Sequence, residues 1–192
     1  MSSIAFVEVT SVYDAVDVLF DKIDAFDSDV LSNSERAELL ERRQTWRRRL
    51  PAGDHELINH LATASADESG GTPSHVLADR LRITRAEARR RIDEATDLRP
   101  RRALTGEPLA PKLEHTAARQ RAGLIGVDHV RIIRRFFAQL PHFVDEPTRA
   151  DAECKRAEVA SQYRPDEGFP KGETLVTCQE PHPGLRTRQP PR

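Results

Sequence analysis

Between Pro73 and Ala95 the chain reads PSHVLADRLRITRAEARRRIDEA, a spacing that leaves room for two short helices, a tight turn and little else. Ala78, Leu81, Ile83 and Ala88 supply the small and apolar positions at which two helices cross closely. Thr84 stands where the second helix begins, and Glu87, three residues on, completes a capping box. The second helix is therefore expected over Arg85 to Leu98, carrying Arg85, Arg89, Arg90 and Arg91. This is the shape of a helix-turn-helix, in which the start of the second helix reaches base edges while nearby arginines bind phosphates. Double-stranded DNA is the partner it implies, with Arg80, Arg82, Arg101 and Arg102 adding phosphate contacts. The turn position that requires positive φ is held by Arg82 instead of glycine, at a steric cost. A plain αα-hairpin with an arginine-rich solvated face fits the same residues, and both readings stand at this point.

At 192 residues and 38% apolar content, the chain has material for one helical domain with a modest core. Its net charge of −1 hides an asymmetry. Residues 1–30 carry seven acids and a single base, Lys22, whereas residues 80–135 carry fifteen Lys/Arg against seven acids. A basic middle and an acidic start suit a nucleic-acid surface, or two parts of one fold that attract each other. The two cysteines, Cys154 and Cys178, are far apart and offer neither a disulfide framework nor a CxxC metal site. The N-terminus lacks a basic region followed by a long apolar run, and no stretch is apolar enough to span a bilayer. A soluble, cytoplasmic protein with no membrane partner is expected.

Helical signals recur along the chain. Ser11 and Asp14 give a cap-like start to an amphipathic helix bearing Val12, Val16, Leu19, Phe20, Ile23 and Phe26, with an acidic outer face. Ser32 and Glu35 form a capping box for a helix that should stop before Pro51. Its outer face holds Arg42, Arg43, Arg47, Arg48 and Arg49 beside Trp46, a run that either grips phosphate or is simply solvated. Asp54 then caps a short helix with Leu57, Ile58 and Leu61. After the arginine-rich block comes a loop to Pro111, a helix over Lys112 to Ala122 stopped by Gly123 and Gly126, and a periodic run to Pro141. A last helix starts near Pro147 and reaches Tyr163. Residues 165–192 hold six of the thirteen prolines and no period long enough to pack, so a disordered tail is expected there.

Three stretches together resemble the mycobacterial 13E12 repeat family, whose members carry a domain of unknown function numbered 222. They are HVLADRLRITRAEARRRIDEA (His75 to Ala95), LEHTAARQRAGLIGVDHVRIIRRFF (Leu113 to Phe137) and EVASQYRPD (Glu158 to Asp166). Many members of that family continue into an HNH nuclease module, which needs a ββα site with histidine and metal-holding side chains. After Asp166 this chain has only His182, no asparagine and no strand signal. The resemblance thus implies a truncated relative, its tail unrelated in sequence, to which nuclease activity does not carry over.

Other chemistry is also weakly marked. His55, His60, His75, His115, His129, His142 and His182 are scattered without zinc-ligand spacing, and are expected mostly at surfaces and caps. Asp93 and Glu94 are expected to pair with Arg89 or Arg90. The expectation is an all-α, irregular helical bundle over residues 1–166 that contains a helix-turn-helix-like pair, followed by a disordered tail over 167–192. It has no catalytic residues, no metal and no cofactor. Its function is non-enzymatic DNA binding, or else that of a structural or protein-interaction remnant that self-associates or meets a protein partner.

Overall fold

The computed structural model describes residues 4–63, 70–102, 105 and 107–167. Among them the fold is all-α, with seven α-helices and one two-residue ladder. The chain divides into residues 1–43 and 44–192, and each unit is taken by itself.

In the first unit, α1 runs Ile4–Asp24 and is followed by a 3-10 turn at Ser28–Val30 and the start of α2, Asn33–Thr63. Ser11, expected as the cap of α1, lies inside it instead and donates its hydroxyl to the Glu8 carbonyl at 2.7 Å. The apolar residues ahead of Ser11 extend the helix toward the N-terminus. No residue of α1 is buried. The Ser32 capping box is present: Ser32 N donates to Glu35 Oε2 at 2.8 Å and Glu35 N donates to Ser32 Oγ at 3.3 Å.

The stop expected before Pro51 does not occur, and Asp54 is an interior residue of α2 instead of a cap. Proline removes one helical hydrogen bond and crowds the preceding turn. Burial of His55, Ile58 and Asn59 in the next two turns offsets that loss and carries the helix to Thr63.

The second unit holds two small cores. Ile58 packs with Leu77, Ala78, Ala88 and Ala95, the last four contributed by α3 (Pro73–Leu81) and α4 (Arg85–Leu98). Leu98 and Leu113 join a second cluster with Ala117, Ile125, Val130, Ile133, Phe137 and Ala160. That cluster draws on α5 (Glu114–Arg121), α6 (Val127–Ala138) and α7 (Glu146–Ala160). The segment after α4, expected as plain loop, contains β1 (Arg101–Arg102) paired antiparallel with β2 (Pro108–Leu109), Arg101 opposite Leu109.

Gly123 ends α5 at φ 79°. A side chain there would also collide with Thr45, whose Cγ2 lies 2.7 Å from an ideal Cβ, so space and backbone both demand glycine. Asp145 caps α7 by accepting from Thr148 N at 2.9 Å, and Pro147 sits in the first turn as expected. The N-terminus of α5 is capped from another helix: Glu153 of α7 accepts from His115 N at 3.1 Å, from Thr116 N at 2.6 Å and from the Thr116 hydroxyl. Glu153 and Thr116 are both buried.

Cys154 is buried, and Cys178 lies outside the described residues. So does the expected tail from residue 168 onward. No helix among the described residues is long and apolar enough to cross a membrane.

Candidate nucleic-acid interface

Pro73 occupies the first turn of α3, where its missing N–H costs nothing, and Thr72 precedes it in an extended conformation. At the far end Arg82 takes the left-handed conformation, φ 54° and ψ 44°, and its N–H closes onto the Ala78 carbonyl. Ile83 N donates to the same carbonyl at 3.0 Å. An arginine thus occupies the conformation that the turn requires, at about 1 kcal/mol of strain for a residue with a Cβ. Thr84 then caps α4, its hydroxyl accepting from Glu87 N at 3.1 Å.

The capping box is only half made. Glu87 turns its carboxylate along the helix, where Arg90 Nε and Nη2 donate to its two oxygens at 2.8 and 2.7 Å and Arg91 Nε donates at 2.9 Å. The Arg90 hydrogen bonds, opposed by partial burial and assisted by Arg91, hold the Glu87 carboxyl down at about 2. Arg90 also reaches Glu94 at 2.5 Å, four residues on.

The eight arginines expected to meet DNA therefore separate into groups. Arg80, Arg82, Arg85 and Arg89 are exposed and form no ion pair among the described residues. Arg85 and Arg89 lie one turn apart on one face of α4. Arg90 and Arg91 are half-buried and occupied by Glu87 and Glu94. Arg101 is half-buried, with Nε donating to the Ala110 carbonyl at 2.9 Å across the β1–β2 ladder. The side chain of Arg102 lies outside the described residues. The exposed acids on α3 and α4 are Asp79 and Asp93, so four unpaired guanidiniums face two carboxylates. Asp93 makes no pair with Arg89, whereas Glu94 does pair with Arg90 as expected.

Sequence reasoning missed what lies beneath this surface. Glu94 is buried at 3% exposure. It accepts from Gln120 Nε2 at 3.3 Å and faces His55 Nε2 at 3.5 Å, too long for a good hydrogen bond. Burial pushes the Glu94 carboxyl up, but His55, Arg90 and Gln120 together outweigh it and the net direction is down. The i,i+4 spacing of Arg90 and Glu94 was visible in sequence; the convergence of α2 and α5 on the same carboxylate was not. Of the histidines expected mostly at surfaces and caps, His55 departs from the expectation by its burial beside Glu94, and His129 meets it as a cap. It is buried, yet it works as a cap, with Nδ1 accepting from Gly126 N at 3.2 Å and Nε2 donating to the Tyr163 carbonyl at 3.0 Å.

A family model described as "Domain of unknown function (DUF222)" matches residues 37–192. It takes in the C-terminal segment that the sequence reading set apart as unrelated. Uncharacterized protein Rv1128c of Mycobacterium tuberculosis (strain ATCC 25618 / H37Rv) is 45% identical over 175 residues, 91% of this chain and 39% of its own length. Uncharacterized protein Rv3466 of the same strain is 45% identical over 184 residues, covering 94% of this chain and 83% of its own. Uncharacterized protein Mb1614c of Mycobacterium bovis is 44% identical over 185 residues, with the same two shares. This chain spans about two fifths of the length of the longer relatives. No solved structure matches it. A family model that matches from α2 through the last residue, with relatives similar over nine tenths of the sequence, places the chain in the family of the domain of unknown function DUF222.

Proposed function

We propose that this chain is a non-enzymatic helical module that binds double-stranded DNA through α3 and α4. The observation that carries the reading is Arg85 and Arg89, exposed one turn apart at the start of the second helix of a pair joined through a left-handed turn, with no carboxylate partner among the described residues. Each guanidinium offers five N–H donors in a fork that suits phosphate oxygens or the edge of guanine. Arg80 and Arg82 extend the exposed charge onto the turn. The carboxylates Glu87, Glu94 and Glu153 are engaged in ion pairs and helix capping, which favours a binding role over acid–base chemistry.

The test is a fluorescence-anisotropy titration of the full chain against a short duplex at several salt concentrations. Binding should weaken along a straight log–log line, and R85A/R89A together should reduce the slope by about 1.8, at about 0.9 for each phosphate contact. Arg91→Ala, in contrast, should leave the slope unchanged, because that guanidinium is already paired with Glu87. Absence of binding at low salt, or a double variant that binds as the parent does, overturns the proposal.

A further inference from the structure

Within the second unit, five segments enclose a cleft of about 710 Å³: the end of α4, β1, the approach to α5, the last turns of α6 and the first turns of α7. Sites for small molecules run from about 300 to 1,000 Å³, so the space suits one. Leu113 and Phe137, both buried, give it an apolar wall. Arg101, Lys112, Arg134 and Arg149 supply its cations, each from a different segment.

The three arginines are half-buried, and each is held away from the ends of its guanidinium. Arg134 Nε donates to Asp97 Oδ2 at 2.8 Å, and Arg101 Nε donates to the Ala110 carbonyl at 2.9 Å. Arg149 lies 5.7 Å from the centre of the Phe137 ring, while its Nε is 3.9 Å from Glu146 Oε2, beyond hydrogen-bond reach. Their terminal nitrogens make no hydrogen bond among the described residues. A fork that is already positioned loses little freedom when a ligand takes it.

Four carboxylates line the same cleft, but they differ in what they have left to give. Asp97 is shared between Arg134 and Lys112, whose Nζ lies 3.3 Å from Oδ1, and Glu153 caps α5. Glu114 is exposed and the Glu146 side chain is 88% exposed, so water screens both. The unused hydrogen-bonding capacity of the half-buried wall is therefore on the donor side.

We propose that this cleft binds a small phosphate-bearing molecule. A single carboxylate, with two oxygens, meets one guanidinium fork. Three forks and a lysine call for more acceptors, and each phosphoryl group presents three. The site uses none of Arg80, Arg82, Arg85 and Arg89, so it stands apart from the DNA-binding reading.

Isothermal titration calorimetry of the full chain with inorganic pyrophosphate, and with citrate at the same ionic strength, tests this. The expected result is one-to-one binding of pyrophosphate, with citrate about tenfold weaker. Arg149→Ala removes no hydrogen bond of the described residues and should weaken pyrophosphate binding about tenfold, the loss expected for one charge-assisted contact, with unchanged helix content. Arg131→Ala, on α6 but not lining the cleft, and R85A/R89A should both bind as the parent does. No binding of pyrophosphate at millimolar concentration, citrate binding equally well, or an Arg149→Ala chain that binds as the parent does overturns the proposal. Loss of pyrophosphate binding in Arg131→Ala or R85A/R89A would place the anion elsewhere on the surface, and also overturns it.

Discussion

Replacing Glu153 by alanine probes a carboxylate that one helix lends to the end of another. Its oxygens accept from His115 N at 3.1 Å, from Thr116 N at 2.6 Å and from the Thr116 hydroxyl. Thr116 is fully buried, so water cannot take the place of the lost acceptor, whereas half-buried His115 is partly served by solvent. A hydrogen bond to a charged group contributes about 1.5–3 kcal/mol, and a buried donor left unmet costs about 1–3 kcal/mol. One full penalty, one partial penalty and the lost favourable charge at the start of α5 come to about 3–4 kcal/mol. That is a large fraction of the roughly 5–15 kcal/mol that holds a typical domain together. Urea unfolding followed by circular dichroism reads it as a fall in midpoint with an unchanged slope. Glu153→Gln keeps one acceptor oxygen but turns an amide NH2 toward the remaining donor, so a loss of about half that size is expected and the protein stays measurable. A loss below about 1 kcal/mol in the alanine variant would refute the reasoning, because it is less than a single unmet buried donor is expected to cost. So would simple additivity of Glu153→Ala and Thr116→Val in a double-mutant cycle, since groups that share a hydrogen bond must couple.

Two further outcomes follow from α3 and α4. Arg82→Gly relieves the left-handed strain at φ 54° and should stabilise the fold by about 0.5–1 kcal/mol, while lowering the salt slope of DNA binding by about 0.9; destabilisation would show that the arginine side chain holds the turn. Glu87, whose carboxyl is depressed from 4.5 to about 2 chiefly by Arg90, stabilises the folded state fully above its unfolded value. That contribution should fade as pH falls from 4.5 toward 2, so the melting temperature of the parent should drop more steeply over this window than that of Glu87→Gln; parallel curves would contradict the assignment.

The helical pair was legible because its signals are local. Thr84 before a helix, Glu87 three residues on and the small or apolar positions Ala78, Leu81, Ile83 and Ala88 are all read over short stretches of chain, and α4 has the bounds expected of it. Pro51 misled for the complementary reason. Its effect on the backbone is local, but what decides the length of α2 is burial of His55, Ile58 and Asn59 by residues far along the chain. The caps show the same division: Ser32 with Glu35 is readable at a spacing of three, while Glu153 reaches Thr116 from 37 residues away and leaves no pattern. Ser11 resembled a cap only because its hydroxyl is as ready to bond the preceding turn as to start a new one.

The arginine face shows how a charge run acquires a direction. Four arginines on α4 look equivalent in sequence, yet Glu87 stands three and four residues before Arg90 and Arg91, within reach of both. Glu94 meets Arg90 from the other side and is itself buried, so removing Arg90 would strand a carboxylate in the interior. These two acids fix the C-terminal pair of arginines as structure. Arg85 and Arg89, with no ion-pair partner among the described residues, stand at the end of the helix whose backbone N–H groups also favour a negative ligand. A phosphate approaching α4 therefore meets open guanidiniums only over its first turns, and that polarity, more than the number of arginines, is what a DNA-binding role for this helix requires.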